Sequence, residues 1–396
     1  MSKLLVLASC FPQPDQASGY LRFYTLLLLL APKHNLLFCS LHENGTIQLR
    51  NDAGARLEQA GITLGEVDLP HMLKHFKPDF IWFEFYYMAR PDYLRLFERY
   101  CPQAKMVVDS VDVHFNRLEA QARLTGKPED EIAARQVKEK ELTAYASADM
   151  VIAVSEDDRQ LILQALPDIP IEVIPNIHAV PPFPGRAKRL HDELVFVGGF
   201  NHDPNVDAML YFCSEVMPLI TAARPQTRLT IIGSNTPQAV QSLASEHVDV
   251  LGYVPDTAPH LKRAYISVAP LRYGGGMKGK VGEAMSYGLP VVTTSFGAEG
   301  FGLQSGEDLL IGNTAESFAA HVIALLDDVN LYDRIARRGY HFIEQHYSVP
   351  AVEQRLDSAM RHLVHLPPRV IPLRRRLILG MQGWYTRHIA WRLPWL

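Results

Sequence analysis

The 396-residue sequence lacks the features that define several classes of protein. It has only four cysteines, all far apart, with no C-x-x-C pair and no histidines at zinc spacing, so neither a disulfide framework nor a zinc site is expected. Its longest apolar run, residues 26–31, is far shorter than the roughly 18 residues of a membrane-spanning helix. Lys and Arg number 39 against 43 Asp and Glu, so the net charge of −4 gives no reason to expect a nucleic acid partner.

Short apolar runs alternate with helical patterns along most of the sequence. This alternation is typical of βαβ units and a parallel sheet. The length suggests two domains, because one domain ordinarily takes about 100 to 200 residues. We therefore predict an α/β fold of two parallel-sheet lobes that face a central cleft. Its predicted strands are 3–9, 36–41, 80–83, 105–109, 150–154 and 171–174 in the first lobe and 194–197, 228–232, 248–251, 266–269 and 290–294 in the second.

The composition also predicts the domain boundaries. Residues 1–176 form the first lobe, a proline-rich linker covers 177–192, and the second lobe covers 193–350. A crossover helix at 351–366 and a basic aromatic tail at 367–396 follow. Because ligands of open α/β sheets bind beyond the carboxyl ends of the strands, the loops that follow predicted strands are the candidate sites.

The most informative loop lies in the stretch A-P-L-R-Y-G-G-G-M-K-G-K-V-G-E-A-M-S-Y-G-L-P-V-V-T-T at 269–294. Its glycine triplet lets backbone N–H groups approach a ligand closely. The following helix directs its positive N-terminus to the same place, where Lys278 and Lys280 add cationic donors. Glu283, one turn inside the helix with Lys280 near it, is placed to accept hydrogen bonds from a ribose diol. These residues predict a diphosphate site, in which the triplet consists of Gly274, Gly275 and Gly276.

Two other interpretations of this stretch remain open. A solvated Lys–Glu pair beside a flexible glycine turn would give the same sequence. The pattern G-x-G-x-x-G at 274–279 also fits a dinucleotide fingerprint, which requires Asp or Glu at the end of the next strand, about 20 residues on. That strand ends Thr293-Thr294-Ser295, and Glu299 lies beyond it, so a dehydrogenase is disfavoured.

Several further motifs match one known family. They are F-V-G-G at 196–199 followed by D-P-N-V-D-A at 203–208, V-I-P-N at 173–176, V-S-E at 154–156, P-x-P-D-x-x-S-G-x-L-R at 12–22 and D-x-V-D-x-H-F at 109–115. In this order and spacing, residues 1–350 resemble retaining glycosyltransferases of the GT-B architecture, in glycosyltransferase family 4 (group 1). The resemblance implies two Rossmann-like lobes and a nucleotide-sugar donor as substrate.

The resemblance also implies roles for individual residues. Glu283 would bind the donor's ribose, and Lys278 or Lys280 would contact its diphosphate. His114 matches a histidine that many members place beside the donor sugar. Three glycines in loops after strands would let the backbone approach the ligands, namely Gly19 for the phosphates or the acceptor, and Gly198 and Gly199 for the cleft.

Some charged residues of these loops have two interpretations. Arg22 either binds an acceptor phosphate or extends to solvent from an otherwise apolar helix. Asp112 either orients the ring of His114 or caps the following helix, and His114 itself fits a histidine hydrogen-bonded within a loop. Glu299 either accepts a hydrogen bond from the nucleotide or caps a helix.

The chain departs from the family's pattern in two places. Many members carry two glutamates eight residues apart, but Gly275 stands eight residues before Glu283, so the glutamate for the sugar hydroxyls is missing. The Arg and Lys often found after F-V-G-G are absent as well, which leaves phosphate binding to Lys278, Lys280 and Arg272. No D-x-D occurs in the sequence, so we expect no metal and no other cofactor.

The tail at 367–396 contains six arginines, three of the four tryptophans and no acidic residue. Such a composition is typical of a segment that binds an anionic membrane surface, and it suits a lipid-linked acceptor. The alternative is a terminal helix that packs on the first lobe. On a helix one face would carry Leu373, Leu377, Met381, Trp384, His388 and Trp391.

Together with the resemblance, these features predict a cytoplasmic, metal-independent, retaining hexosyltransferase, peripheral on the inner face of the cytoplasmic membrane. It would move a sugar from a nucleotide-sugar donor to a glycan or lipid-linked acceptor in surface polysaccharide biosynthesis. Two alternatives remain. The missing glutamate fits a non-catalytic nucleotide-sugar-binding or scaffold subunit, and a sugar-nucleotide epimerase or hydrolase would share the architecture but need no acceptor.

Overall fold

The computed structural model describes residues 1–14, 18–42, 46–48, 51–65, 68–274 and 276–367. The chain divides into two compact units. The first consists of Met1–Pro175 and the described residues after Val352, and the second is Asn176–Val352. Gly275 and tail residues 368–396 lie outside the described residues, so the predictions made for them remain predictions.

The first unit contains a seven-stranded parallel sheet with the strand order β3-β2-β1-β4-β5-β6-β7. Its central strands are apolar runs buried on both faces, as expected where helices cover both sides of a parallel sheet. In this order β1 and β4 are neighbours, so the loops that follow them meet where the direction of winding reverses. The strands are β1 (Ser2–Ala8), β2 (His34–Ser40), β3 (Thr63–Leu64), β4 (Phe80–Glu84), β5 (Lys105–Asp109), β6 (Met150–Ala153) and β7 (Ile171–Val173).

The helices of the first unit begin at residues that suit a helix N-terminus. Asn51 and Ser155 cap two of them by accepting hydrogen bonds from backbone N–H groups in the first turn. A 3-10 turn, Tyr86–Met88, follows β4. The helices are α1 (Ser18–Leu30), α2 (Asp52–Gln59), α3 (Leu69–Phe76), α4 (Pro91–Tyr100), α5 (His114–Thr125), α6 (Pro128–Ser147) and α7 (Glu156–Ala165).

The second unit repeats this arrangement with a six-stranded parallel sheet in the order β10-β9-β8-β11-β12-β13. Here β8 and β11 are the neighbours at the reversal of winding. Its strands are β8 (Glu193–Val197), β9 (Arg228–Ile232), β10 (Val248–Gly252), β11 (Ile266–Ala269), β12 (Val291–Thr293) and β13 (Leu310–Ile311). Its helices are α8 (Asp203–Tyr211), α9 (Met217–Ala223), α10 (Gln238–Gln241), α11 (Ala258–Arg263), α12 (Gly279–Ser286), α13 (Ser295–Ala298), α14 (Ala315–Asp327) and α15 (Val329–Tyr347).

A π-helical turn, Phe212–Val216, joins α8 and α9 into one helical stretch of 21 residues, Asp203–Ala223. Among the described residues this is the one helix with the length and apolar composition that a membrane span requires. Phe212, Val216 and Ile220 are buried in the core of the second unit, which accounts for the apolar composition. The last helix, α16 (Val349–His365), contains the boundary between Val352 and Glu353.

The prediction of two parallel-sheet α/β lobes is confirmed, and each predicted strand is present to within two residues at either end. The two strands that the prediction missed, β3 and β13, have only two residues each. The segment 177–192, predicted as a linker, belongs to the second unit. Arg189 fixes it there, because its buried guanidinium donates hydrogen bonds to the carbonyls of Leu261 and Ala264, at 2.8 and 2.9 Å.

Candidate functional site

In the second unit, the loops that follow β8 and β11 bring the predicted glycines and lysines together. Gly198 lies close to two side chains, because a Cβ atom there would be 3.0 Å from Asn205 Nδ2 and 3.1 Å from Lys280 Nζ, which is a tight contact. Asn205 Nδ2 donates to the carbonyl of Gly199 at 2.6 Å, and Asn205 Oδ1 accepts from the ammonium of Lys280. One amide therefore fixes both the loop after β8 and the lysine at the start of α12.

Lys280 occupies an environment that disfavours its charge. Its ammonium lies 4.9 Å from the centre of the Phe196 ring, and Asn205 is the partner that the structure gives it. Burial, and to a smaller extent the charge of Lys278, lowers the pKa of Lys280 to about 7. An anion that binds beside this lysine would restore its charge.

Lys278 lies at the end of the glycine loop, immediately before α12. Its side chain is only 8% exposed, and its ammonium donates to the carbonyl of Gly276 and lies 3.6 Å from a carboxylate oxygen of Glu299. Gly274 and Gly276 have φ angles of 122° and 71°, which side chains with a Cβ rarely adopt. The glycines are therefore required by the shape of the loop itself, in addition to any ligand.

Helix α12 carries Glu283 one turn after its first residue, as predicted. Glu283 accepts a hydrogen bond from the Thr257 hydroxyl at 2.7 Å. Burial raises the pKa of Glu283, while the bond from Thr257 acts in the opposite direction. The alternative interpretation, a solvated Lys–Glu pair, is not what the structure shows, because Lys280 bonds to Asn205 and Glu283 bonds to Thr257.

Two further predicted residues of this unit have partners within the protein. Arg272 Nε donates to a carboxylate oxygen of Asp207 at 2.9 Å, and its guanidinium lies 4.7 Å from the centre of the Tyr211 ring. A phosphate that binds Arg272 would therefore compete with Asp207. Glu299 lies directly after α13, where its carboxylate faces Lys278.

In the first unit, His114 is the first residue of α5. Its half-buried ring contacts three aromatic residues of the segment after β4, Phe85, Tyr86 and Tyr87, at centroid distances of 5.5, 5.4 and 6.2 Å. Burial, and to a smaller extent Arg117, lowers the pKa of His114, and nearby Asp112 opposes this shift. The ring is therefore largely uncharged at neutral pH.

The cap of α5 is a residue that the sequence did not single out. Buried Glu141 accepts hydrogen bonds from the backbone N–H groups of His114 and Phe115, at 3.1 and 2.9 Å. Burial raises the pKa of Glu141 to about 7. Asp112, predicted to cap this helix or to orient His114, forms an ion pair with Arg117 at 3.2 Å, so the capping interpretation is wrong.

The interpretations of Arg22 as an acceptor contact or a solvent-directed side chain are also wrong. Its side chain is fully buried, with Nη1 donating to Asp109 at 2.8 Å and Nε and Nη2 donating to the carbonyl of Ile174. From sequence, an arginine in an apolar helix suggests an exposed guanidinium. The buried partner, Asp109, could not be recognised because it lies 87 residues away in the sequence. Gly19 lies in the first turn of α1, where a Cβ atom would be 3.4 Å from Val111.

Sequence reasoning missed Asn205, Thr257, Glu141 and Glu84. Asn205 lies within the motif D-P-N-V-D-A at 203–208. Glu84 could have been found, because an acidic residue at the end of an apolar strand lies at the edge of the sheet where ligands bind. Glu141 and Thr257 could not have been found, because their partners lie 26 or 27 residues away. Among the described residues, no group of three His, Cys, Asp or Glu side chains is arranged to hold a metal ion.

A comparison with known protein families finds a match in the part of the chain that contains these lysines and glycines. Residues 191–328 match the family model described as glycosyl transferases group 1. A protein of Klebsiella pneumoniae described as an uncharacterized 44.6 kDa protein in the cps region is 28% identical over 186 residues, which are 44% of this chain and 47% of that protein. The match therefore spans about half the length of that relative.

Solved structures share the fold across nearly the whole chain. HepE from Anabaena, solved with UDP and glucose, has a TM-score of 0.63 at 14% identity and covers 91% of this chain and 100% of its own. A sucrose-phosphate synthase from Thermosynechococcus elongatus has a TM-score of 0.65 at 15% identity, with 91% and 99% covered. At these identities the likeness shows the fold alone. The chain therefore has the GT-B fold, and residues 191–328 within it are similar to group 1 glycosyltransferases.

Proposed function

We propose that this protein is a retaining glycosyltransferase whose second unit binds the diphosphate of a nucleotide-sugar donor. The observation that carries the proposal is the pair of lysines at the start of α12: Lys278 bonds to the glycine loop after β11, and Lys280 bonds to Asn205, which holds the loop after β8. Ammonium groups and the positive N-terminus of a helix are the kinds of donor that bind a diphosphate. Glu283, one turn further along α12, now accepts a hydrogen bond from the Thr257 hydroxyl. When the donor binds, Glu283 would accept hydrogen bonds from the ribose hydroxyls instead.

The same groups would act in the reaction. Transfer breaks the bond between the anomeric carbon and the diphosphate and forms a bond from that carbon to the oxygen of an acceptor hydroxyl, through an oxocarbenium-like transition state. The proton of that hydroxyl passes to the leaving diphosphate. Negative charge grows on the leaving diphosphate as the bond breaks. Lys278 and Lys280 would stabilise this charge more strongly in the transition state than in the bound donor, which accelerates the reaction without a metal ion.

The proposed partners follow from the comparisons and the sequence. HepE was solved with UDP and glucose, so UDP-sugars are the first donors to test. The relative encoded in a cps region supports an acceptor in surface polysaccharide biosynthesis, either a glycan or a lipid-linked intermediate. We propose a cytoplasmic site of action, with the basic tail at 367–396 holding the protein at the inner face of the membrane.

A two-part experiment tests the proposal. Thermal melting is measured with UDP-, GDP-, ADP- and dTDP-sugars, because a ligand that binds only the folded state raises the melting temperature. We expect one class of donor to stabilise the protein, and Glu283→Gln and the double variant Lys278→Ala with Lys280→Ala to abolish the effect. Lys188→Ala, which removes an exposed lysine of the same unit, is the matched control. No stabilisation by any donor would contradict the proposal.

Nucleotide release then separates the candidate functions. A glycosyltransferase releases the nucleoside diphosphate in proportion to acceptor, whereas a hydrolase or an epimerase acts on the donor with no acceptor present. A scaffold subunit would bind the donor and release nothing. Release by wild type but not by Glu283→Gln, dependent on acceptor, is the expected result.

A further inference from the structure

The ligand-binding edge of the first unit carries a group of aromatic side chains that the proposed function has not used. Phe85, Tyr86 and Tyr87 follow β4 directly, and His114 begins the helix after β5. These four residues are called the aromatic platform below. They lie beside the junction of β1 and β4, where the winding of the sheet reverses and ligands of α/β sheets bind.

The rings of the platform contact one another, and none of the four residues is fully buried. Phe85 and Tyr87 lie parallel, with an interplanar angle of 15° and centroids 5.1 Å apart, and Tyr86 meets Tyr87 edge to face. Tyr87 keeps 39% of its area exposed, although it contacts three rings. The platform therefore presents an aromatic surface to solvent at the place where a ligand is expected.

The backbone on both sides of the platform is strained. Phe85 has φ 65° and ψ 155°, a region that only glycine adopts readily, and Val111 in the loop after β5 has φ 55° although it is β-branched. Such conformations persist where the surrounding structure enforces them, and they concentrate at binding sites. Here one of the two strained residues, Phe85, belongs to the platform, and the other, Val111, lies three residues before His114.

A polar connection joins the platform to the loop after β1. The hydroxyl of Tyr87 lies 3.4 Å from that of Ser9. Beneath this contact, Glu84 is 2% exposed, and its Oε2 has no hydrogen-bond partner among the described residues. Burial and the neighbouring carboxylate of Asp109 raise the pKa of Glu84 to about 8, so it is mostly uncharged at neutral pH.

The charges around the platform favour a neutral ligand. Arg22 is fully buried against Asp109, and Arg117 is paired with Asp112. Desolvation lowers the pKa of His114, which leaves the ring largely uncharged. A phosphate would have to compete with Asp112 for the charge of Arg117, whereas an uncharged molecule with a flat apolar face would need no such exchange.

We propose that the aromatic platform binds an uncharged sugar ring of the acceptor, stacked on Tyr87, with the hydroxyls of Tyr87 and Ser9 bonding to the sugar's own hydroxyls. A pyranose has a face of C–H groups that are polarised towards the negative face of an aromatic ring. This inference names the acceptor of the proposed glycosyltransferase, and in that sense it rests on the proposed function. It implies that the terminal unit of the acceptor is a neutral sugar rather than a phosphate.

The test uses saturation-transfer NMR on the full chain, without any donor. The probes are the methyl glycosides of glucose, galactose, mannose, rhamnose and N-acetylglucosamine at millimolar concentration. We expect at least one to bind through its ring C–H protons, with Tyr87→Ala raising the dissociation constant about tenfold and Tyr87→Phe retaining the stacking contribution. Tyr253→Ala, which removes an exposed tyrosine of the second unit, is the matched control and should bind as wild type does.

Several results would overturn the inference. They are no binding by any of the five glycosides, equal binding by wild type and Tyr87→Ala, or displacement of the bound glycoside by inorganic phosphate. A melting curve shows whether Tyr87→Ala is folded. If that variant is unfolded, the comparison of glycoside binding is made between Tyr87→Phe and wild type. The NMR test contains no donor, so its result is independent of the melting experiment with nucleotide sugars. If a glycoside binds but no nucleotide sugar raises the melting temperature, the proposed function is contradicted and the platform is supported.

Discussion

Lys280 and Arg22 are both basic residues on helices that follow a strand, and their surroundings give them different properties. Arg22 has a carboxylate partner, Asp109, and two bonds to a carbonyl oxygen, so its charge is compensated inside the protein. Among the residues that the structure describes, Lys280 contacts the neutral amide of Asn205 and the face of Phe196. Removing one partner of a buried ion pair is strongly destabilising, whereas a buried ammonium without a carboxylate partner can pair with an anionic ligand.

Lys280 should make donor binding depend on pH. Because the pKa of Lys280 is about 7 in the free protein, the side chain loses its charge as the pH rises from 7 to 9. A bound diphosphate favours the charged form and raises this pKa, so binding takes up a proton above pH 7. We expect the dissociation constant of the stabilising nucleotide sugar to rise by up to about tenfold per pH unit in this range. Calorimetry in buffers of different ionisation enthalpy measures the uptake.

The control for this prediction is Lys280→Arg. A guanidinium stays charged throughout this pH range, so the variant should bind with little dependence on pH and take up no proton. A wild-type protein whose affinity is constant between pH 7 and 9 would show that Lys280 does not contact the diphosphate.

Arg22 should matter for stability more than any exposed ion pair of its unit. Arg22→Met leaves the carboxylate of Asp109 buried without its partner, which costs about 3 to 5 kcal/mol of the free energy of unfolding. Arg159→Ala removes an exposed pair with Glu156 on α7 and should cost about 0.5 kcal/mol or less. Calorimetric melting of the two variants makes the comparison. Equal losses would mean that the buried pair is not a structural requirement.

At the scale of a secondary-structure element, the position of α12 depends on the close approach of its backbone to His178, near the start of the second unit. The ring of buried His178 occupies the space beside Gly282, where a Cβ atom would lie 2.3 Å from Nε2. His178 is held in turn by a backbone hydrogen bond to the carbonyl of Tyr347 at 2.9 Å. The position of α12, and with it that of Glu283, therefore depends on a glycine that packs against His178.

Gly282→Ala tests this dependence. In an ordinary helix the change would stabilise by up to about 1 kcal/mol, but here the methyl group collides with His178, and we expect a loss of about 1 to 3 kcal/mol. Donor affinity should fall as well, because α12 carries the binding residues. The double variant Gly282→Ala with His178→Ala should recover part of both losses, since the two changes are coupled through one contact. Strictly additive effects in melting and binding would contradict this explanation.

Sequence reasoning succeeded for elements with strong local patterns and failed for long-range polar contacts. The strands β1, β5 and β8 follow from apolar runs alone, whereas β3 and β13 are too short to show a pattern. The glycine loop and the start of α12 were predicted because glycine, lysine and helix signals are adjacent in the sequence. The partners of Glu283 and Arg22 could not be predicted, because they lie 26 and 87 residues away and are fixed only by the folded chain.

At the scale of the whole molecule, the charge is distributed unevenly. The tail at 367–396 has six arginines and no acidic residue, so with a total of −4 the rest of the chain carries −10. An anionic membrane would repel the acidic part of the chain and attract the tail, at about 1 kcal/mol for each arginine near the surface. The structure does not describe residues 368–396, so this expectation rests on the sequence.

Sedimentation with vesicles of anionic lipid tests the role of the tail. We expect the full chain to sediment with the vesicles at low salt and to be released at about 0.5 M salt, because screening weakens the attraction of the arginines. A chain that ends at Leu366, and a full-length variant with Arg374, Arg375 and Arg376 changed to Gln, should sediment much less. If the tail instead packs on the first unit, removing it would lower the melting temperature while leaving sedimentation unchanged. Equal sedimentation of the full and shortened chains at low salt would therefore rule out a membrane role for the tail.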